Sequence, residues 1–327
     1  MRPPGFWQAG PDHPWARVLA PVGAAYGALT ARRMDRVGVS AGCPVLCLGN
    51  FTLGGAGKTP AALAVAALLA ELGRSPAFLS RGYGGRTAGP VRVDPDRHAA
   101  AEVGDEPLLL ARRAPTVVSR HRPAGAALCR HLGADAIVMD DGLQNPSLAK
   151  DLSLAVIDAA VGLGNGLPIP AGPLRAPLAR QWPHVGGLIV IGDGARGDGI
   201  ARAAESRGLP VLRARLVRES EALAGRRCLA FAGIGRPDKF FATLAEAGAV
   251  IAGRRAFPDH HPYRDAELTA LAGEALRLGA DLVTTEKDAA RLPPSFAARV
   301  RVLRVRLVLD DPETLRRLLR RALEPAP

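Results

Sequence analysis

Short apolar runs alternate with longer runs of helix-forming residues along the chain from Pro44 onward. The runs VLCLGN after Pro44 and LSLAVIDA at residues 152–159 have the length and composition of buried strands. Downstream of the first run, AALAVAALLAELG is a continuous helix-forming segment that ends at Gly73. This alternation predicts a mostly parallel sheet with helices on both faces, in which ligands bind at the carboxyl ends of the strands.

The same pattern starts again in the last third of the chain. CLAFAGIGRPDKFFATLAEAG, from Cys228 to Gly248, predicts a strand, a glycine turn and a helix. ADLVTTEKD, the apolar run VRVLRVRLVL and a basic amphipathic tail helix follow it. We therefore predict three parts: an N-terminal segment at 1–35, an α/β core at 36–224 and a smaller α/β domain at 225–327.

The N-terminal segment combines aromatic rings, arginines and a short apolar stretch. Fourteen uncharged residues separate Arg17 from Arg32, fewer than the roughly 20 that a membrane-spanning helix needs. Trp7, Trp15 and Tyr26 lie in the same region, and such rings suit a bilayer interface. Two interpretations stay open: a helix that lies at the membrane interface, or a helix that packs on the protein's own core.

Composition narrows the class of protein. In 327 residues, 48% are hydrophobic and 23% are charged, which excludes wholesale disorder, and four cysteines without a C-x-x-C pair exclude a disulfide framework and a zinc ribbon. The net charge of +12 suits a nucleic acid, an anionic membrane or a phosphorylated substrate. Only 4% of residues are aromatic and no RNP-like or zinc-finger motif occurs, so we expect no nucleic-acid partner.

A glycine-rich loop with a lysine and a threonine joins the first strand to the first long helix. In GGAGKT, backbone N–H groups converge on phosphate oxygens, the lysine reaches the β- and γ-phosphates, and the threonine hydroxyl ligates Mg²⁺. The usual P-loop pattern requires a glycine at position 52, where this chain has threonine. The residues that we expect around the nucleotide are Thr52, Leu53, Gly54, Gly55, Ala56, Gly57, Lys58 and Thr59.

Two aspartates follow a second buried strand and supply candidate ligands for Mg²⁺. The apolar run at residues 136–139 ends in Asp140 and Asp141, where a P-loop protein needs an acidic residue on the metal side. A turn with helix-capping aspartates would account for one of them. We predict that both lie beside the P-loop.

Three further segments carry candidate chemistry. Asp105, in GDEP, is either a helix cap or a catalyst, and Arg175, in GPLR, is either an anion contact or a surface cation. The histidines of FPDHHPY suit proton sharing with a carboxylate better than metal binding. TTEKD is similar to the base-recognition segment of P-loop GTPases, which gives Asp288 as a hypothetical nucleotide-base contact.

Taken in order, these motifs resemble one family. The P-loop, SRGYGG, GDEP, DDGLQ, GPLR, FAGIG, FPDHH and TTEKD run from residue 45 to about 292 as they do in the tetraacyldisaccharide 4′-kinases, the lipid A 4′-kinases of Gram-negative bacteria. The resemblance implies a P-loop kinase core, a second smaller α/β domain and an N-terminal helix at the membrane interface. It implies transfer of the γ-phosphate of ATP, with Mg²⁺, to the 4′-hydroxyl of a tetraacyldisaccharide 1-phosphate to form lipid IVA.

The resemblance also implies roles for individual residues. Asp105 would be the base that takes the hydroxyl proton, and His260, directly after F-P-D, would pair with it across the domain cleft. Lys58 and Thr59 would hold phosphate and metal, with Asp140 and Asp141 completing the metal site. The chain departs from the family at Ala176, where glutamate is frequent, and at Arg236, where asparagine is frequent.

The expected setting follows from the same resemblance. The partners would be the acylated disaccharide phosphate and the cytoplasmic face of the inner membrane, whose anionic surface attracts a basic protein, and the enzyme would be a monomer. The alternative is a ParA-like P-loop switch ATPase, which hydrolyses nucleotide without a lipid acceptor and for which GDEP and FPDHH would be incidental.

Overall fold

Two sheets organise the chain, which a computed structural model describes at residues 4–219 and 223–324. The strands are β1 (Val45–Gly49), β2 (Pro76–Ser80), β3 (Val91–Arg92), β4 (Thr116–Val118), β5 (Ala136–Asp140), β6 (Leu152–Asp158), β7 (Gly187–Ile191), β8 (Val211–Arg218), β9 (Arg227–Ala232), β10 (Val250–Ala256), β11 (Asp281–Thr285), β12 (Arg301–Leu303) and β13 (Val305–Leu309). The α-helices are α1 (Pro14–Met34), α2 (Lys58–Glu71), α3 (Ala100–Val103), α4 (Asp105–Ala111), α5 (Arg122–His131), α6 (Leu178–Gln181), α7 (Ala195–Glu205), α8 (Pro237–Glu246), α9 (Asp265–Leu278), α10 (Glu286–Ala289), α11 (Pro294–Ala297) and α12 (Pro312–Leu323). Short 3₁₀ helices cover Gly5–Trp7 and Trp182–His184.

The large sheet has β1 near its centre. Its nine strands run in the order β13-β8-β7-β6-β1-β5-β2-β4-β3, and all pair in parallel except β3 and β13 at the two edges. All five residues of β1 and of β5 are buried, because helices cover both faces of a parallel sheet. The carboxyl ends of β1, β5 and β6 therefore meet at one edge, with α2 beginning there.

The small sheet is fully parallel. Its strands run in the order β10-β9-β11-β12, and separate apolar clusters cover its two faces, one around Phe240 and Phe241 and one around Phe231. The expected fold class, a mostly parallel P-loop core with a second, smaller α/β unit, is confirmed.

The end of the chain differs from the sequence-based expectation. The run VRVLRVRLVL splits at Arg304: β12 pairs with β11 of the small sheet, whereas β13 pairs antiparallel with β8 of the large sheet. Helix α12 then buries Leu315 and Leu319 in the core of the large sheet. Sheet membership thus places the end of the chain with the large sheet, and the division at 1–35, 36–224 and 225–327 stays a prediction.

Helix α1 has two different faces. Its small residues Gly23 and Gly27 are buried against Pro168 and Pro177, with Ala16, Ala31 and Met34 on the same side. The opposite face exposes a stripe of large apolar side chains, namely Trp15, Val18, Val22, Tyr26 and Leu29. One face of the helix therefore packs on the core, which was one of the two open interpretations. The exposed stripe stays compatible with the second interpretation, a helix at the membrane interface. Among the described helices, none is long and apolar enough to span a bilayer.

The close approach of α1 to the core predicts that a side chain at Gly27 is destabilising. A Cβ there would lie 2.9 Å from Cδ of Pro177 and 3.0 Å from Cβ of Pro168. Gly27→Leu should lower the free energy of unfolding by about 1–3 kcal/mol through overpacking, although leucine has the higher helix propensity. Thermal unfolding measures the effect, and Ala28→Leu, at the exposed neighbouring position, is the control. Equal melting temperatures for the two variants would contradict the packing argument.

Candidate active site

The glycine-rich loop lies between the end of β1 and the start of α2. Gly54 and Gly57 have φ angles of 112° and 88°, which side chains rarely adopt, and Gly57 is the residue directly before the helix. Thr52 forms an isolated bridge with Leu174, so the position where other P-loops have glycine is held here by the GPLR segment. The loop therefore places the N-terminus of a 14-residue helix at the sheet edge, as the sequence predicted.

Lys58 is buried at the centre of this edge. Its Nζ lies 3.4 Å from both Oδ1 of Asn50 and the carbonyl oxygen of Gly54, and 3.6 Å from Oδ1 of Asp141. Three oxygens thus hold the ammonium group over the loop, which is the position from which it can contact a bound phosphate.

Asp140 and Asp141 bring buried oxygens that lack a hydrogen-bond donor to the same place. Because β1 pairs with β5 with Leu48 opposite Asp140, the two aspartates follow immediately beside the P-loop. Both carboxylate oxygens of Asp140, Oδ1 of Asp141 and the hydroxyl of Thr59 are buried without a hydrogen-bond partner. Hydroxyl and carboxylate oxygens are the ligands that Mg²⁺ prefers, so the donor set fits this cation. The described residues contain no cluster of three or more His, Cys, Asp or Glu side chains able to hold a metal.

The two aspartates differ in pKa. Burial, together with the nearby carboxylates of Glu106 and Asp141, raises the pKa of Asp140 to about 7. Burial acts on Asp141 too, but the cations of Lys58 and Arg175 outweigh it and lower its pKa to about 2. The ionised form of Asp140 is therefore poorly stabilised by its buried surroundings, and a bound cation would stabilise it.

Arg175 connects three parts of the site. Its Nη2 donates to Asp141 at 2.9 Å, its Nη1 to Gln144 at 3.2 Å and its Nε to the carbonyl oxygen of Thr52 at 3.1 Å. Of the two interpretations left open by the sequence, a surface cation is wrong, since the side chain is 17% exposed and bound to the DDGLQ segment. The neighbouring Ala176 is buried against α1, beside Ala31 and Met34.

Asp105 and His260 form a pair that joins the two sheets. Asp105 is the first residue of α4 and is 3% exposed, and its Oδ2 lies 3.1 Å from Nδ1 of His260. Nε of Arg291 approaches the same oxygen at 3.3 Å, and the exposed ring of Tyr83 packs edge-on against the imidazole. The sequence-based expectation that Asp105 and His260 meet across a cleft is matched by this geometry, while their catalytic roles stay predictions.

Backbone strain coincides with these side chains. Among the described non-glycine residues, positive φ angles occur at Asp141 (52°) and His260 (56°). Such conformations cost free energy and persist where the surroundings impose them, commonly at functional sites. At His260, the backbone N–H donates to the carbonyl oxygen of Gly233 at 3.0 Å, which fixes the turn that aims the ring at Asp105.

The pair shifts the pKa of both members. Burial would raise the pKa of Asp105, but the hydrogen bond with His260 and the charges of Lys287 and Arg291 lower it below its usual range. The hydrogen bond with Asp105 raises the pKa of His260 above its ordinary value, against the effect of burial. The contact therefore favours the ionised carboxylate of Asp105 and the protonated imidazole of His260 more than the isolated groups would.

The TTEKD segment contributes to the site in another way than the sequence suggested. Asp288 is fully buried: its Oδ1 accepts from the N–H of Gly233 at 2.8 Å and from Tyr263, and its Oδ2 from Thr285. Both carboxylate oxygens are thus occupied within the small sheet, and the hypothesis that Asp288 contacts a nucleotide base is wrong. The neighbouring Lys287 instead reaches the large sheet and pairs with Glu106 at 2.5 Å.

Sequence reasoning missed three charged members of the site. Glu106 and Arg291 were not singled out as site residues, although one follows Asp105 directly and the other follows TTEKD by three residues. Arg122 is 2% exposed, donates to the carbonyl oxygen of Ser119 at 2.9 Å and has a buried Nε without a partner. Its only sequence signal was its place at the start of the helix that follows a short strand.

The site combines a P-loop at the edge of a parallel sheet, buried oxygens of the kind that bind Mg²⁺ and a buried carboxylate–histidine pair. Together these features indicate a P-loop kinase. The chain belongs to the tetraacyldisaccharide-1-P 4′-kinase family, whose model matches residues 15–324.

Similar proteins carry the corresponding name. Proteins called tetraacyldisaccharide 4′-kinase are 81% identical in Methylobacterium radiotolerans, with 99% of each chain covered, and 66% identical in Methylorubrum extorquens strain PA1, with 100% of each covered. A crystal structure of LpxK from Aquifex aeolicus in complex with ATP has a TM-score of 0.73 at 24% identity, covering 94% of this chain and 99% of that one. This last likeness shows the shared fold.

The Asp105–His260 hydrogen bond predicts a measurable titration. Asp105→Asn should lower the pKa of His260, because it removes the carboxylate that raises it and leaves the burial that lowers it. The pKa of His260 in the folded protein lies above its ordinary value of 6.5. The pair therefore contributes its full stabilisation below pH 6.5, and this contribution is lost as the pH rises through the raised pKa of His260.

NMR titration of the imidazole resonances checks this, with His260→Gln used for assignment. Glu267→Gln is the matched control, because Glu267 lies 2.9 Å from the neighbouring His261 and its loss should leave the titration of His260 unchanged. The same midpoint for His260 in the parent and in Asp105→Asn would refute the pairing.

Proposed function

We propose that the protein transfers the γ-phosphate of ATP to the 4′-hydroxyl of a tetraacyldisaccharide 1-phosphate, which yields lipid IVA. The observation that carries the proposal is the buried Asp105–His260 pair beside the P-loop, in a chain of this kinase family. A switch ATPase has no need of a buried carboxylate held by a histidine from a second sheet. Family membership therefore favours the kinase over the ParA-like alternative.

The P-loop side of the site binds the phosphates. The backbone of residues 54–57 and the ammonium group of Lys58 neutralise phosphate charge, and the N-terminus of α2 adds its dipole. Thr59, Asp140 and Asp141 would hold Mg²⁺. Their buried oxygens without hydrogen-bond partners support this assignment. When bound, the cation spreads the charge that develops on the transferred phosphoryl group.

Asp105 handles the proton of the acceptor hydroxyl. The bond between the 4′-oxygen and phosphorus forms as the bond between phosphorus and the ADP oxygen breaks, and the hydroxyl proton passes to Asp105. Its lowered pKa makes it a weak base, so it orients the hydroxyl and takes the proton late, as expected when little bond formation precedes the transition state. His260 and Arg291 keep the carboxylate ionised and fixed.

The exposed stripe of α1 suits a lipid substrate. Trp15, Val22 and Leu29 are 62%, 57% and 70% exposed on one face, and Arg17 and Arg33 lie near the two ends of the same helix. Such a helix lies in the headgroup region with its apolar face inward, and a net charge of +12 attracts an anionic leaflet. We therefore place the enzyme peripherally on the cytoplasmic face of the inner membrane. It acts as a monomer in this proposal, since one chain supplies every site residue named.

Phosphoryl transfer to lipid is the decisive test. With γ-labelled ATP, Mg²⁺ and tetraacyldisaccharide 1-phosphate in detergent micelles, the parent protein should produce a labelled, doubly phosphorylated lipid. Lys58→Ala should lower the rate at least a hundredfold, because it removes a charge that stabilises the transferring phosphate. Lys150→Ala, which removes a lysine bound to the carbonyl oxygen of Leu143, is the control. Hydrolysis of ATP without labelled lipid would favour the switch ATPase.

Membrane binding should depend on the exposed apolar stripe of α1. Val22→Glu with Leu29→Glu should weaken cosedimentation with phosphatidylglycerol-containing vesicles about tenfold or more and leave ATP affinity unchanged. The control is Ala24→Glu with Ala28→Glu, which adds the same charge at exposed positions away from the stripe. Equal loss of binding in both double variants would show that charge, and not apolar insertion, holds the protein on the vesicle.

A further inference from the structure

A second ionic contact joins the two sheets on the other side of the P-loop. Asp158 is the last residue of β6, and its side chain is 10% exposed. Its Oδ2 lies 2.6 Å from Nη1 of Arg236 and 3.1 Å from Nζ of Lys239, while its Oδ1 accepts from the N–H of Ala160. Arg236 directly precedes α8 and Lys239 lies in its first turn. The Asp158–Arg236–Lys239 cluster has no part in the phosphoryl-transfer chemistry described above.

The pairing of strands places this cluster beside the phosphate loop. Leu154 and Val156 of β6 pack in the cluster that includes α2, and Asp158 continues the same face of the strand. Asp158 pairs with Ile191 of β7, and a Cβ at Gly57 would lie 2.6 Å from Cδ1 of Ile191. The carboxylate therefore lies next to the end of the P-loop, at the level where α2 begins.

The order of the strands gives a bound nucleotide a direction. Asp140 and Asp141 follow β5 and Asp105 begins α4, which lies near β2 and β4, so the terminal phosphate and the acceptor belong on that side of β1. β6 lies on the opposite side of β1. A triphosphate that lies along this edge with its last phosphate toward Asp105 would have its other end on the side of Asp158 and the first turn of α8.

Charge and exposure fit a phosphate at this position. One carboxylate faces two cations, so the cluster carries a net positive charge, and the side chains of Arg236 and Lys239 remain 41% and 40% exposed. An arginine directly before a helix is unfavourable for the helix dipole, which Asp158 offsets at the same point. Asp158 thus holds both cations in place, and each cation keeps surface that a phosphate can contact.

We propose that Arg236 and Lys239 form the subsite for the α-phosphate of ATP. The proposal rests on the kinase function given above and extends it to a pair of residues from the small sheet. Arg236 thereby makes a charge-assisted contact to the nucleotide. The small sheet then reaches the site at two points, through His260 at Asp105 and through Arg236 and Lys239 at the α-phosphate.

Binding of three ligands tests the subsite without any turnover. Calorimetry would compare ATP, inorganic tripolyphosphate and pyrophosphate, each with Mg²⁺, on the full chain. Arg236→Asn and Lys239→Gln should each weaken ATP and tripolyphosphate about tenfold, the effect of one lost hydrogen bond to a charged group. Pyrophosphate, which fills only the positions of the last two phosphates, should keep its affinity.

Arg301→Asn is the control, because it removes the exposed Arg301–Asp281 ion pair at the amino ends of β11 and β12. Equal weakening of all three ligands would overturn the subsite and make the cluster a brace between the sheets. Unchanged binding of all three, or weakening of ATP alone, would also overturn the assignment to the α-phosphate. A parent protein that binds ATP but labels no lipid would refute the proposed function and leave the subsite standing.

Discussion

Compensation of buried charge is the constraint on which the site depends. Four carboxylates, from two consecutive pairs, converge at one edge of the large sheet: Asp105, Glu106, Asp140 and Asp141. Removing a carboxylate from water costs several kcal/mol unless a cation or hydrogen bonds replace the lost hydration. The large sheet supplies Lys58 and Arg175 to Asp141, whereas Lys287 and Arg291, which serve Glu106 and Asp105, come from the small sheet. Attachment of the small sheet is therefore an electrostatic requirement of the site.

A contact in this arrangement can be predicted from the sequence when its residues are close together along the chain. The P-loop and the aspartates after β5 are predictable because a strand, a turn and a helix lie within a few residues of one another. The Lys287–Glu106 pair spans 181 residues, and no local pattern connects its members. Asp288 was misjudged for the same reason: its motif is local, but its buried partners Gly233 and Tyr263 are distant in sequence.

Helix α1 shows where a sequence-level choice was too narrow. Core packing and interfacial exposure were weighed as alternatives, whereas at 100° per residue the small residues and the large apolar residues fall on opposite faces. Gly23 and Gly27 lie four residues apart and permit close approach to Pro168, which determines the buried face. The strand run at residues 300–309 was likewise read as one element. Which sheet accepts each half is set by β8 and β11, which the run itself does not reveal.

The antiparallel pairing of β8 with β13 has a consequence for how the molecule is assembled. Arg218 and Val305 face each other across this ladder, so the chain leaves the large sheet and re-enters it at adjacent positions. Topologically, the small sheet is an insertion at the tip of a hairpin. A short turn between those two residues would close the large sheet without it and keep the P-loop, while removing His260, Lys287 and Arg291. The phosphate-binding loop and the groups that compensate the charge of Asp105 and Glu106 thus lie on separable parts of the chain.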